Sequence, residues 1–192
     1  MLHGTGGDEN DLVPLGQSLA PGAGILSPRG AVLENGMPRF FRRLSEGVFD
    51  EEDLILRTHD LADFIKAAAE HYGFDPRMVI GAGYSNGANI AASMLLLRPE
   101  ALSAAILLRP MVPLVPDALL DLLGRPVFIG SGRNDPLVSV NETHRLVELL
   151  RTAGAEVHVH WQEAGHQVTH EEMVAAKAWL SEHCGINLKD NS

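Results

Sequence analysis

The pentapeptide Gly83-Tyr84-Ser85-Asn86-Gly87 constrains this chain more than any other segment. An apolar β-type run, Met78 to Gly83, leads into it. A segment rich in Ala, Leu and Met, Asn86 to Leu97, leads out and stops before Pro99. A chain that passes from a buried strand into a helix through one sharp turn forces unusual backbone angles on the corner residue. Close packing there leaves room only for small neighbours, which Gly83 and Gly87 supply. The turn also aims the N-terminus of the following helix at the corner, where free N–H groups and the helix dipole favour developing negative charge. Ser85 is therefore a candidate nucleophile, and the Asn86 amide is a candidate oxyanion donor.

The rest of the chain repeats the same alternation, the signature of a mostly parallel sheet flanked by helices. Strands are expected at Gly24 to Leu26, Met78 to Gly83, Ala104 to Leu108, Val127 to Gly130 and Val157 to Trp161. Helices are expected at Glu51 to Tyr72, Asn86 to Leu97, Asn141 to Thr152 and Thr169 to His183. Thr169-His-Glu-Glu172 reads as a capping box, and Gly73, Gly154 and Gly185 stand at C-terminal ends. Pro28 to Asp50 lacks periodicity and reads as one long ordered loop, which in a compact domain is usually functional.

With 192 residues and 45% hydrophobic content, the chain reads as a single domain over 1–192. Fifteen Lys and Arg against 25 Asp and Glu give a formal net charge of −10, which opposes binding to nucleic acid. No apolar run approaches the roughly 18 residues of a membrane span, and no basic-then-apolar leader opens the chain. Cys184 is the sole cysteine. The expectation is a cytoplasmic protein with neither membrane nor nucleic-acid partners.

Two residues complete a candidate triad. Asp135 follows the strand ending at Gly130, and His166 follows the strand ending at Trp161. Loops at the C-terminal ends of strands are where open α/β sheets collect their sites. The order Ser85, Asp135, His166 suits Ser-His-Asp chemistry on such a sheet. Asp117 and Asp121 are rivals for the acid, but they fall in an expected short helix. His158 and His160 share one sheet face and read as structural. His144, His170 and His183 read as solvent-facing helix residues. His3 precedes a Gly-rich turn, His3-Gly4-Thr5-Gly6-Gly7, and reads as a support for its shape. That turn can offer a second oxyanion amide, and it lacks the Gly-Lys-Ser/Thr ending of a phosphate loop. No two candidate ligands recur at zinc spacing with an acidic partner in a convincing context, so no metal site is expected.

Taken together, His3-Gly4-Thr5-Gly6-Gly7, Ser27-Pro28-Arg29-Gly30, Gly83-Tyr84-Ser85-Asn86-Gly87, Asp135-Pro136 and Gly165-His166 resemble the phospholipase/carboxylesterase family of α/β-hydrolases. The likeness runs from residue 2 to about residue 181. Glu34 to Phe41 is most similar to the small bacterial carboxylesterase branch. The resemblance implies an α/β-hydrolase fold and cofactor-free cleavage of small-molecule carboxylic esters with short to medium acyl chains. It places the second oxyanion donor at the Thr5 amide.

The family has further strands before the His-Gly turn, which here begins at residue 3. The implied sheet lacks the first two strands and most of the third. With strands about 4.8 Å apart, omitting one leaves roughly a 10 Å gap beside Gly24 to Leu26. A homodimer covering that gap, or a chain shortened relative to its gene, is the expectation.

Met37, Phe40, Phe41 and Met111 are expected to wall the substrate pocket, the competing reading being a satellite hydrophobic cluster under the long loop. Arg29, Arg39, Arg42 and Arg43 are expected to pair with local carboxylates or face solvent, the competing reading being attraction of an anionic substrate. Acyl-protein thioesterase, lysophospholipase and a non-catalytic binding protein are the alternatives in function. A dienelactone hydrolase would favour Cys, and a dehalogenase Asp, where Ser85 stands.

Overall fold

Ala104-Ala-Ile-Leu-Leu108 has no polar side, and each of its residues is buried in the computed structural model, which describes residues 1–185. Such a run suits a strand covered on both faces. In chain order the elements are α1 (Val13–Leu19), β1 (Val32–Glu34), β2 (Met37–Arg39), β3 (Arg43–Ser45), β4 (Val48–Phe49), α2 (Glu51–Tyr72), β5 (Ile80–Tyr84), α3 (Asn86–Leu97), β6 (Ala104–Leu108), β7 (Pro126–Gly132), α4 (Val140–Thr152), β8 (Glu156–Gln162) and α5 (His170–Cys184).

Strands β5 to β8 form a parallel sheet in the order β5-β6-β7-β8. Alternation along β6 and β7 divides the core in two. Ala105, Leu107, Val127 and Ile129 join Ile90 and Leu95 of α3, Leu54 of α2 and Leu146 of α4. Ala104, Ile106, Leu108 and Phe128 join Leu19 of α1 and Ala176, Trp179 and Leu180 of α5. The result is three layers, with α2, α3 and α4 on one face and α1 and α5 on the other.

The helix ends obey local chemistry. Asp50 caps α2 by accepting from the Asp53 N–H, and Gly73 closes it at φ 72°. Ser139 caps α4, and the capping box on α5 is complete in both directions.

Three expectations need correction. Gly24 to Leu26 is not a strand. The Leu26 carbonyl accepts from the Met1 nitrogen at 2.6 Å, its side chain packs against the main core, and among the described residues no ladder follows. Met1 and Leu2 instead lie between this segment and β5. The Leu2 N–H donates to Ala82 O at 2.8 Å, and its carbonyl accepts from the Tyr84 N–H at 3.1 Å. Leu2 thereby bridges Gly83 in parallel sense at the place where a gap was expected. Pro28 to Asp50 is not a featureless loop, because it folds into two hairpins, β1-β2 and β3-β4. Their strands have only two or three residues, too few to show period-two alternation, and Asn35-Gly36 and Gly47 supply the turns at positive φ. Asp117 and Asp121 lie in no helix; both are exposed on an irregular segment.

Candidate active site

The loops after β5, β7 and β8 converge at the C-terminal edge of the sheet. Ser85 sits between β5 and α3 at φ 53° and ψ −112°, a conformation that L-residues avoid. Several contacts hold it there. The Ser85 N–H donates to Leu108 O at 2.8 Å, and its carbonyl accepts from the Asn89 N–H at 2.9 Å. A Cβ on Gly83 would collide with the Gly87 carbonyl, and one on Gly87 with the Leu2 carbonyl. Both glycines of the pentapeptide are therefore required by close backbone approach.

His166 bridges the other two residues. Its Nε2 lies 3.0 Å from Ser85 Oγ and its Nδ1 lies 2.8 Å from Asp135 Oδ2. A carboxylate can only accept, so Nδ1 carries the proton and Nε2 is free to accept from the serine hydroxyl. The Asp135 side chain is fully buried. Its other oxygen accepts from the Leu137 and Val138 N–H groups at 2.8 and 3.1 Å, which fixes the plane of the carboxylate. Neither Asp117 nor Asp121 borders this site. His158 and His160 stack on Phe128 away from it.

Thr5 and Asn86 border the cleft beside Ser85. Asn86 is the first residue of α3, and the first-turn N–H groups of a helix have no intrahelical acceptor. His3 supports the Thr5 turn as expected. Its Nδ1 donates to Gly4 O at 2.7 Å, and its Nε2 accepts from the Gly30 N–H at 2.9 Å. The Asn86 side-chain oxygen accepts from the Phe40 N–H at 2.7 Å, tying the hairpin region to the nucleophile turn.

The cleft has a volume of about 540 Å³. Met111 borders it, with its N–H held by Asn89 Oδ1 at 2.7 Å. Phe40 and Phe41 turn instead into the main core, at 4% and 0% exposure. Met37 lies over Gly6, outside the lining. Phe49, Leu137 and Val138 supply apolar wall that the sequence reading did not name. The arginines pair locally: Arg29 with Glu9, Arg42 with Asp50, and both Arg39 and Arg43 with Glu34. Arg39 also donates to Thr5 Oγ1 at 2.6 Å. Burial, then the neighbouring Arg43, lowers the pKa of its guanidinium from the ordinary value.

Sequence reasoning also missed Tyr84, Arg109 and Glu172 as neighbours of His166. Burial raises the Tyr84 phenol above its ordinary value of 10.0, which keeps it a hydrogen-bond donor at neutral pH. The only trace in sequence is a charged residue directly after the all-apolar run 104–108.

Fold and site together define an α/β-hydrolase. The chain belongs to the dienelactone hydrolase family, whose model matches residues 40–181. It is 54% identical to MhqD of Bacillus subtilis (strain 168), which carries a hydrolase name, over 95% of this chain and 91% of that protein. It is also similar to the crystal structure of the Bacillus cereus carboxylesterase. That match has a TM-score of 0.93 at 52% identity and covers 95% of this chain and 86% of the other. A carboxylesterase from Mesorhizobium loti superposes with a TM-score of 0.87 at 34% identity, covering 94% and 86% of the two chains. The carboxylesterase resemblance and the α/β-hydrolase fold both stand. Within the dienelactone hydrolase family, this chain carries Ser85 where that activity would favour cysteine.

Proposed function

We propose that the protein is a carboxylesterase that cleaves small-molecule esters through an acyl-enzyme on Ser85. One observation carries the reading: an unbroken hydrogen-bond line runs from Asp135 through His166 to a serine at a strained strand-to-helix corner. The names of the Bacillus cereus and Mesorhizobium loti relatives support the ester class.

In the first half-reaction Ser85 Oγ attacks the ester carbonyl as its proton passes to His166 Nε2. The carbonyl oxygen takes the electron pair and is held by the Thr5 and Asn86 amides. Its collapse re-forms the carbonyl and expels the alkoxide, which leaves as the alcohol with the proton from His166. Water then gives a proton to His166 and attacks the acyl-enzyme. The second tetrahedral adduct breaks to free acid and Ser85, which regains its proton. Asp135 holds the imidazole tautomer and stabilises the imidazolium. Met111, Phe49, Leu137 and Val138 suit a short to medium acyl chain.

Turnover of p-nitrophenyl esters by Ser85→Ala, by His166→Ala and by the double variant tests this reading. Each single change lowers kcat by orders of magnitude, and the double change adds little, because the residues act as a unit. Near wild-type turnover in a folded His166→Ala protein overturns it.

A further inference from the structure

Four consecutive carbonyls around the base are each occupied by a donor from a neighbouring element. The Ala164 carbonyl accepts from the Asn134 N–H at 3.0 Å, next to Asp135. The Gly165 carbonyl accepts from Arg109 Nε at 3.0 Å, and the Gln167 carbonyl from Arg109 Nη2 at 2.7 Å. Between them, the His166 carbonyl accepts from the Tyr84 hydroxyl at 3.2 Å. Segment 164–167 is thus fixed by donors from three other parts of the chain, Tyr84, Arg109 and Asn134.

The donors are themselves anchored to the nucleophile turn. Tyr84 directly precedes Ser85. Arg109 directly follows Leu108, whose carbonyl accepts from the Ser85 N–H. Arg109 has a fully buried side chain and a φ of 58°, a strained angle for a residue with a Cβ. Its third nitrogen, Nη1, donates to Glu172 Oε1, an equally buried partner. Glu172 Oε2 accepts from the Thr169 N–H in the α5 capping box. Gly130 makes room, since a Cβ there would collide with Glu172 Oε1. Arg109 Nε also stands 4.0 Å from Asp135 Oδ2.

We infer that Arg109, backed by Glu172, and Tyr84 are positioning residues. They form a clamp that sets the place and angle of the His166 ring relative to Ser85 and Asp135. The planar guanidinium suits the task because its three nitrogens reach two carbonyls on either side of His166 and one carboxylate at fixed angles. A lysine keeps the charge but cannot span all three. The inference rests on His166 acting as the base for Ser85.

The test uses Tyr84→Phe and Arg109→Lys in the full chain. Two readouts are taken: kcat and KM on a short p-nitrophenyl ester, and the downfield proton NMR signal of the His166 Nδ1–H facing Asp135. Tyr84→Phe removes one neutral hydrogen bond and should lower kcat about 3–10-fold. Arg109→Lys loosens both flanking carbonyls and should lower kcat on the order of 100-fold. KM should stay within about twofold in both, because the Arg109 side chain is fully buried and Tyr84→Phe keeps the ring that borders the cleft. The Nδ1–H signal should broaden or vanish under conditions where the wild type shows it. If Arg109→Lys fails to fold, Tyr84→Phe decides. Folded variants with wild-type kcat and an unchanged signal overturn the inference. The NMR signal needs no turnover, so a wild type lacking esterase activity counts against the Ser85 chemistry while the signal still decides the clamp.

Discussion

Replacing Asp135 with asparagine isolates what the carboxylate contributes, because the structure separates its two oxygens by task. Oδ1 serves the backbone, accepting from Leu137 and Val138, and Oδ2 serves His166 Nδ1. An asparagine retains one carbonyl oxygen, and the two backbone N–H groups claim it. The amide NH₂ then faces His166 Nδ1. Two donors cannot share that bond, so the imidazole moves its proton to Nε2 and can no longer accept from Ser85. The imidazolium formed during attack also loses its buried counter-charge. A triad serine hydrolase with the wrong tautomer is slowed about 10⁴-fold, which at 1.36 kcal/mol per decade is about 5.4 kcal/mol of transition-state stabilisation. The fold should hold, since the loop hydrogen bonds at Oδ1 survive. Steady-state hydrolysis of a p-nitrophenyl ester, with circular dichroism on the same samples, measures both. An Asp135→Asn protein that folds and keeps kcat within tenfold of wild type refutes the tautomer argument.

Two further expectations separate core from cleft. Phe41→Ala removes a fully buried ring packed edge-on against Phe49 at 5.1 Å, so denaturant unfolding should register a loss of about 3–5 kcal/mol. At roughly 2–4 °C per kcal/mol for a chain of this size, Tm should fall by about 6–20 °C; a loss below about 1 kcal/mol contradicts the core placement. Met111→Ala widens the cleft wall and should shift relative rates toward longer acyl chains, while constant relative rates across chain lengths would remove Met111 from the acyl site.

The parts legible in sequence are those where one local rule acts alone. Helix α3 ends where Pro99 forbids continuation, and α2 starts and stops on Asp50 and Gly73, so their limits match the expectation. The run 104–108 had no polar face to offer solvent, and its five-residue length suited a strand covered on both faces. The three candidate triad residues were found because their loops follow strands at one sheet edge. The hairpins between 32 and 49 were illegible because strands of two or three residues carry no period, and pairing is set by turns such as Asn35-Gly36. Phe40 and Phe41 looked like pocket residues because they sit in that irregular stretch, yet their rings enter the core. Strand Gly24 to Leu26 failed because an apolar tripeptide specifies no partner. Arg109 could not be read at all: its importance comes from Gly165, Gln167 and Glu172, more than 50 residues away. Glu172 was recognised only as a helix cap, and the same carboxylate holds the buried arginine.

Labelling with a fluorophosphonate, followed by peptide mass spectrometry, asks whether Ser85 is an activated nucleophile. The probe reacts only with a serine whose hydroxyl has been activated and whose developing oxyanion is held. Stoichiometric phosphonylation is expected on Ser85, sharply slowed in His166→Ala and absent in Ser85→Ala. A folded wild-type protein that takes up no label, or takes it up at another residue, contradicts that role for Ser85.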